Sequence, residues 1–146
     1  MALDDAFVSE TGATEIDLGV NLDEVPSQHA VPAGEYQLML ASAEVRDQKP
    51  EKGTGRFIMA TFEILGDPDA KLITHVMMLP AADDNDRKKN NRLRNIGDFF
   101  KCFGIPAKGS VNLSAYEGNQ GWAILNVEDG GEFGEQNRVK RFIVGK

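Results

Sequence analysis

Cysteine is almost absent from this sequence of 146 residues. Cys102 is the only one, which excludes an intrachain disulfide and favours a reducing compartment. The sequence also lacks a run of about 18 apolar residues and a charged leader followed by an apolar stretch. These absences argue against a disulfide-stabilised secreted domain and against a membrane protein, so we expect the chain to work in the cytoplasm.

Sequence signatures of catalysis are missing as well. The chain contains no CxxC pair, no HExxH helix, no GxxxxGK phosphate loop and no GxSxG elbow. His29 and His75 lie far apart in the sequence, and a buried thiol is the simpler interpretation of Cys102, which lies within an apolar stripe. The acids within residues 83–86 could hold a divalent ion, but capping a helix is their simpler role. We therefore predict a non-catalytic protein without a metal or cofactor site.

Basic residues are absent from the first 30 positions. This segment contains seven acids and accounts for the whole formal net charge of −7. The 23 acids of the chain less these seven leave 16, equal to the 16 Lys and Arg residues. A body of zero net charge can still present a strongly basic face. We interpret residues 1–30 as a flexible acidic arm without a sustained apolar period, and residues 31–146 as one folded domain.

Alternating apolar residues predict five β-strands in the domain. In the second stretch, Ile58, Ala60 and Phe62 fall on one face, while Phe57 and Met59 fall on the other. The loop DQKPEKGTGR follows the first strand, and the acidic loop EDGGEFGEQ joins the last two. The predicted strands are EYQLMLASAEV, RFIMATFEIL, KLITHVMML, WAILNV and NRVKRFIV.

One helix is predicted between the third and fourth strands, over residues 83–103. Its apolar residues recur at spacings of three and four. Asp83, Asp84 or Asp86 is expected to cap its start, and Gly104 to end it. Basic residues crowd its first half, where they form either a solvated face or an auxiliary track for phosphates. The apolar stripe consists of Leu93, Ile96, Phe99, Phe100 and Phe103.

The order of three strands, one helix and two strands is that of the OB-fold, a five-stranded Greek-key barrel. We therefore expect an all-β domain with one helix, closed as an OB-fold-like barrel. In that fold, the loops between strands 1 and 2 and between strands 4 and 5 flank the binding face of strands 2 and 3. Other small β-rich folds with a single helix also fit this order.

Cations occur in the segments that this fold would place around its binding face. Proteins that bind single strands need a basic groove for phosphates and aromatic platforms for bases. Phe57 is the favoured platform, because it follows Arg56 and points away from the predicted core. Trp122 either stacks bases or closes one end of the barrel, and Phe133 either stacks bases or contacts a partner. The candidate phosphate contacts are Lys49, Lys52, Arg56, Lys71, Arg138, Lys140 and Arg141.

Four stretches of the domain resemble a known group of proteins. They are VPAGEY, GTGRFIMATFEILG, RNIGDFFKCFGIP and GEQNRVKRFI. Together they look like small phage-encoded proteins of replication and recombination gene clusters, a group similar to OB-fold single-stranded-DNA-binding proteins. The resemblance covers approximately residues 31–144, whereas the long acidic arm departs from the usual start of these proteins.

The resemblance implies both a site and a place of action. It implies structural roles for Gly34 and for the glycines of residues 53–55, and DNA contacts near Arg56, Arg138 and Lys140. It also implies that the protein acts in the cytoplasm of a bacterial host.

The leading hypothesis is a non-catalytic protein that coats single-stranded DNA during phage replication or recombination. A rival is a protein-interaction or virion-assembly module without affinity for nucleic acid, which fits the acidic total charge. A metal-dependent nuclease would need convergent carboxylates, which the spacing of the acids does not indicate. The arm either recruits replication or recombination proteins, competes with DNA for the basic groove, or only solubilises the chain. The sequence leaves the oligomeric state open, a homo-oligomer included.

Overall fold

A computed structural model describes residues 14–25, 27–49 and 55–145. Within them, five strands and one helix form the predicted order of three strands, a helix and two strands. Short 3-10 turns lie at Leu22–Glu24, Leu113–Tyr116 and Gly131–Phe133. The regular elements are β1 (Gly34–Asp47), β2 (Arg56–Ile64), β3 (Ile73–Met78), α1 (Asp86–Phe103), β4 (Gln120–Asp129) and β5 (Glu135–Ile143).

The five strands form one sheet in the order β3-β2-β1-β4-β5, and every neighbouring pair is antiparallel. β2 alternates as the sequence predicts, because Ile58, Ala60 and Phe62 are buried while Phe57 and Met59 lie on the opposite, outer face. Successive side chains of a strand point to opposite faces, so these two sets cannot mix. The outer face of β2 is therefore available for contacts beyond the core.

α1 covers the buried face with its apolar stripe. Ile96, Phe99 and Phe103 are buried, as predicted, but Leu93 is half-exposed, so including it in the stripe was wrong. The helix ends at Gly104, whose φ of 70° is left-handed and costs glycine little. At the other end Asn85, not an aspartate, accepts a hydrogen bond from the backbone N–H of Lys88 at 2.8 Å.

Asp84 has a different role from the predicted cap. Its carboxylate accepts a hydrogen bond from the backbone N–H of Ala81 at 2.8 Å and lies 2.8 Å from a guanidinium nitrogen of Arg92. The Ala81 hydrogen bond is the main reason that the pKa of Asp84 lies below its ordinary value; Arg92 and Lys88 act in the same direction and desolvation opposes them. This network fixes the turn between β3 and α1.

Four aromatic rings join the helix to the sheet. The ring of Phe62 lies 5.1 Å from that of Phe103, 5.9 Å from that of Phe99 and 5.8 Å from that of Phe142, measured between centroids. Each such pair contributes about 0.5–1.5 kcal/mol beyond its area burial. β2, α1 and β5 therefore pack as a unit around Phe62.

The sheet curls until its two edge strands face each other, but it is not a closed barrel. In the described chain no ladder of hydrogen bonds joins β3 to β5. Side chains span part of the gap, since the ring of His75 lies 5.3 Å from that of Phe142. The ladder between β4 and β5 shifts register next to Lys140, and such a bulge bends a strand and disturbs its regular pairing. The expectation of a closed barrel was therefore wrong.

The junction of the arm and the domain is fixed by one buried side chain. Asn137 accepts from the backbone N–H of Val31 at 2.9 Å and donates to the carbonyl oxygen of Val31 at 2.8 Å and to that of Asn126 at 3.2 Å. Its amide thus pairs with Val31 much as a neighbouring strand would. Among the described residues, no helix is long and apolar enough to cross a membrane.

Candidate nucleic-acid interface

An open cleft of about 440 Å³ lies where the two sheet edges face each other. β3 forms one wall, β5 the opposite wall, and α1 the floor with Arg92, Asn95 and Asp98. The cleft exists because the sheet curls without pairing β3 to β5. It combines apolar side chains with cations, a combination that suits a ligand with both charged and apolar parts.

Two cations of the cleft have no partner in the part of the chain that the structure describes. Lys140 and Arg141 are exposed on β5, and neither side chain has a hydrogen-bond or ion-pair partner within the described part of the chain. Arg92 is different, because it donates to the carbonyl oxygen of Leu79 at 3.3 Å and contacts Asp84. Asp98 of α1 adds a carboxylate to the floor. The positive charge free to meet a ligand therefore comes from β5.

A row of apolar side chains continues from the cleft across the outer face of β3 and β2. Met78 lines the cleft and is the cross-strand neighbour of Phe57, while Val76 is the neighbour of Met59. Phe57 is partly exposed. Cross-strand neighbours on one face have Cβ atoms about 4.5–5.5 Å apart, so the side chain of Phe57 lies next to that of Met78. Only β3 therefore separates Phe57 from the cleft that Lys140 lines. Met78 thus lies between the predicted platform, Phe57, and the cleft that Lys140 lines.

Arg56 and Lys49 lie at the end of this surface, beside the first long loop. Arg56 opens β2 next to Phe57, and its guanidinium lies 3.5 Å from the carboxylate of Asp47 with both side chains exposed. An exposed ion pair of this kind is weak, about 0–1 kcal/mol, so a phosphate could displace it. Lys49 is exposed just beyond β1. Lys52 lies outside the described residues.

Two predicted phosphate contacts already have partners within the protein, although the ion pair of Arg138 is exposed. The ammonium of Lys71 donates to the carbonyl oxygens of Phe133 and Glu135, at 2.9 and 2.8 Å, and so ties the start of β3 to the start of β5. Arg138 points to the outer face of the sheet and binds the carboxylate of Glu128 at 3.0 Å. Both side chains already have partners, unlike Lys140.

The two remaining aromatic candidates lie away from Phe57. Trp122 is half-buried on β4, opposite Gln37 of β1 and Ile143 of β5, so β1 lies between it and β2. Phe133 is 69% exposed at the tip of the loop between β4 and β5. Neither joins the row formed by Phe57 and Met78.

Burial shifts the pKa values of two further side chains. Burial lowers the pKa of His75 below its ordinary value and so favours the neutral imidazole. Burial raises the pKa of the Cys102 thiol, whose Sγ donates to the carbonyl oxygen of Trp122 at 3.2 Å. Within residues 14–25, 27–49 and 55–145, no group of three or more His, Cys, Asp or Glu side chains could hold a metal ion.

Sequence reasoning overlooked the apolar part of this surface. Met59 was placed on the face of Phe57, but Val76 and Met78 were interpreted only as residues of the third strand. Their alternation with Met77 was visible in the sequence and could have placed them on one face. The contribution of α1 to the cleft, through Arg92, had no comparable local signal.

The fold and the cleft together define a class: a small β-rich protein with one helix, whose facing sheet edges and helix enclose an open cleft lined by cations. No protein-family model matches the chain, and no curated protein matches it. What the protein binds therefore has to follow from the chemistry of the cleft and its surroundings.

Proposed function

We propose that the protein is a non-catalytic single-stranded-DNA-binding protein of the OB type, opened between β3 and β5. The strand order, with β1 between β2 and β4, and the helix between β3 and β4 agree with an OB topology, which is commonly a partly open barrel. Its role would be to coat single strands during phage replication or recombination in a bacterial cytoplasm.

The observation that carries the proposal is the pair of unpartnered cations beside an apolar row. Lys140 and Arg141 can neutralise phosphates without first breaking an ion pair, since neither has a partner within the described ranges. Neutralising phosphates releases counterions, which supplies most of the affinity of binding that is not sequence-specific. Lys49 and Arg56 extend the basic surface at the far side of the row.

Stacking on the apolar row would supply the remaining affinity. Phe57 offers an aromatic ring, and Met59, Val76 and Met78 offer apolar contact on either side of it. A stacked base contributes about 1–3 kcal/mol, and it tolerates any base because every base has a π-face. Binding without strong sequence preference follows.

Binding of labelled oligo-dT and of a matched duplex across a salt series tests the proposal. We expect the single strand to bind more tightly than the duplex, and log affinity to fall with log salt by about 0.7 per phosphate contacted. An affinity for oligo-dT no higher than that for duplex, or independent of salt, would contradict it.

A protein-interaction module is the second candidate, because one observation favours it. The described part of the arm exposes Ile16, Val20 and Leu22 to solvent. A cluster of exposed apolar side chains is typical of a surface that binds another protein. This candidate predicts no affinity for oligonucleotides at any salt concentration, so the same titration separates the two.

A further inference from the structure

A cation of β1 lies directly beside the proposed platform. The register of β1 and β2 makes Arg46 the cross-strand neighbour of Phe57, and the register of β2 and β3 makes Met78 its neighbour on the other side. Directly opposite residues of an antiparallel pair point to the same face of the sheet. Arg46, Phe57 and Met78 therefore form one row across three strands, with the cation at one end.

The cleft lies at the other end of this row. Met78 lines the cleft, and so do Lys140 and Arg141 of β5. Neighbouring strands are about 4.8 Å apart, so the backbone of β1 at Arg46 lies about 10 Å from that of β3 at Met78. The row thus has positive charge at both ends and apolar side chains between them, an arrangement that suits a short stretch of single-stranded nucleic acid.

One carboxylate contacts Arg46 in the free protein. The guanidinium of Arg46 donates a hydrogen bond to the carboxylate of Glu44, two positions earlier on β1. Residues two apart on a strand share a face, and Glu44 is the cross-strand neighbour of Met59. A negative group therefore lies next to the cation, on the face that would carry the phosphates of a bound strand.

This ion pair can exchange its carboxylate for another anion. The side chains of Arg46 and Glu44 are 54% and 51% exposed, and an ion pair in contact with water contributes little because solvent screens it. Lys71 differs, since it donates two hydrogen bonds to backbone carbonyl oxygens. Arg46 can leave Glu44 at little cost, and a guanidinium can donate two parallel hydrogen bonds to one phosphate.

We infer that Arg46 is a further phosphate-binding residue, which exchanges Glu44 for the phosphate next to the base stacked on Phe57. The inference rests on the proposed binding of single-stranded DNA and gives the bound strand a path across the sheet, from β1 over β2 and β3 to the cleft. Glu44 competes with that phosphate and so limits the affinity. Removal of this one acid should therefore strengthen binding, an effect that damage to the fold would not produce.

Titration of oligo-dT at several salt concentrations tests the role of Arg46. Arg46→Gln should lower the affinity about tenfold at about 50 mM salt and reduce the slope of log affinity against log salt by about 0.7, because one phosphate contact is lost. Arg46→Lys keeps the charge and should keep the slope. Arg94→Gln, on the outward face of α1, is the matched control and should leave the slope unchanged.

Glu44→Gln tests the exchange. It should raise the affinity for oligo-dT about threefold in the wild type and less than about 1.5-fold in Arg46→Gln, because the acid acts through this arginine. Glu63→Gln is the control, since Glu63 lies on the same face of β2 but about 20 Å along the strand from Phe57. It should change the affinity less than about 1.5-fold. An equal rise from Glu44→Gln in both backgrounds would mean that net charge alone matters, which overturns the inference.

The outcomes separate this inference from the proposed function. A wild type that does not bind oligo-dT overturns both. A wild type that binds with a salt slope that Arg46→Gln leaves unchanged overturns the inference alone. A loss of slope in Arg46→Lys equal to that in Arg46→Gln also overturns the inference alone, because the charge would then not be what the site requires.

Discussion

Two regions of the molecule carry cations and use them differently. At the base of the sheet, Lys71 and Arg138 donate to groups of the protein itself, and Lys71 ties β3 to β5. At the cleft, Lys140 and Arg141 have no partner in the described part of the chain. Arg141 follows Arg138 by three positions along β5, yet Arg138 has an ion-pair partner and Arg141 has none among the described residues.

The difference shows that the number of basic residues overestimates the number of cations that are available to bind a ligand. A cation with two hydrogen bonds to carbonyl oxygens loses them when it moves to a phosphate, so its net gain is small. An unpartnered cation at the surface has no such cost. The proposed function therefore depends on Lys140 and Arg141 more than on Lys71, and variants of each group measure the difference.

Reversing the charge of the unpartnered pair should have the largest effect. Lys140→Glu with Arg141→Glu should lower the affinity for oligo-dT about 100-fold at low salt, because phosphates would then be repelled. The free energy of unfolding should change by less than about 0.5 kcal/mol, since the side chains are exposed. The control is Arg94→Glu with Lys101→Glu, on the outward face of α1, which should cost less than about tenfold. Equal losses in both variants would mean that only net charge matters.

Removing the aromatic platform should have the next largest effect. Phe57→Leu keeps an apolar side chain in the row beside Met78 but loses the ring, and it should cost about 1–2 kcal/mol of binding to oligo-dT. Phe133→Leu is the control, because that ring is also exposed but lies in an acidic loop. A larger loss from Phe133→Leu would move the platform to the loop between β4 and β5.

Removing a paired cation should affect folding and leave binding intact. Lys71→Met breaks both hydrogen bonds to the loop before β5 and should lower the free energy of unfolding by about 1 kcal/mol. The affinity of the folded protein for oligo-dT should stay within about twofold. Lys108→Met, at an exposed lysine in the segment after α1, controls for the loss of one charge. A tenfold loss of affinity in Lys71→Met would place this lysine in the binding site.

The pH dependence of stability should show the smallest effect, through His75. Burial lowers its pKa in the folded state below its ordinary value, so the unfolded chain binds this proton more readily. The stabilisation is complete above that ordinary value and is lost as the pH falls toward the folded-state pKa. Urea unfolding at about pH 7.5 and pH 5.5 should show a smaller decrease in His75→Gln than in the wild type. An identical decrease would mean that other groups cause it.

Local periodicity predicted most of the fold. The alternation around Phe62 identified the buried face of β2, and the spacing of Ile96, Phe99 and Phe103 identified the face of α1, because both patterns report burial directly. The end of the helix at Gly104 followed from the glycine. These features depend on neighbours in sequence, which a single sequence contains.

Features that depend on distant partners could not be predicted in the same way. The sequence predicts Asp84 as a candidate helix cap, but its carboxylate instead accepts hydrogen bonds from the backbone N–H of Ala81 and from Arg92. The closed barrel was expected from the strand order, but closure depends on whether β3 can pair with a bulged β5. Whether Lys71 is free for a ligand likewise depends on carbonyl groups about 60 residues away.

The arm shows how short a local pattern can be. Residues 1–30 were interpreted as lacking a sustained apolar period, and the alternation from Ile16 to Leu22 is confined to seven positions. The structure forms no strand over these positions: Gly19 has a φ of 71°, and Leu22–Glu24 is a 3-10 turn.

The salt dependence of binding in a charge-neutralised variant tests the central claim most directly. Lys140→Gln with Arg141→Gln should reduce the slope of log affinity against log salt by about 1.4, because two phosphate contacts of about 0.7 each are lost. Arg94→Gln with Lys101→Gln removes the same charge from the outward face of α1 and should leave the slope unchanged. Equal slopes in the wild type and in the Lys140 and Arg141 variant would show that these cations do not contact phosphates, which contradicts the account.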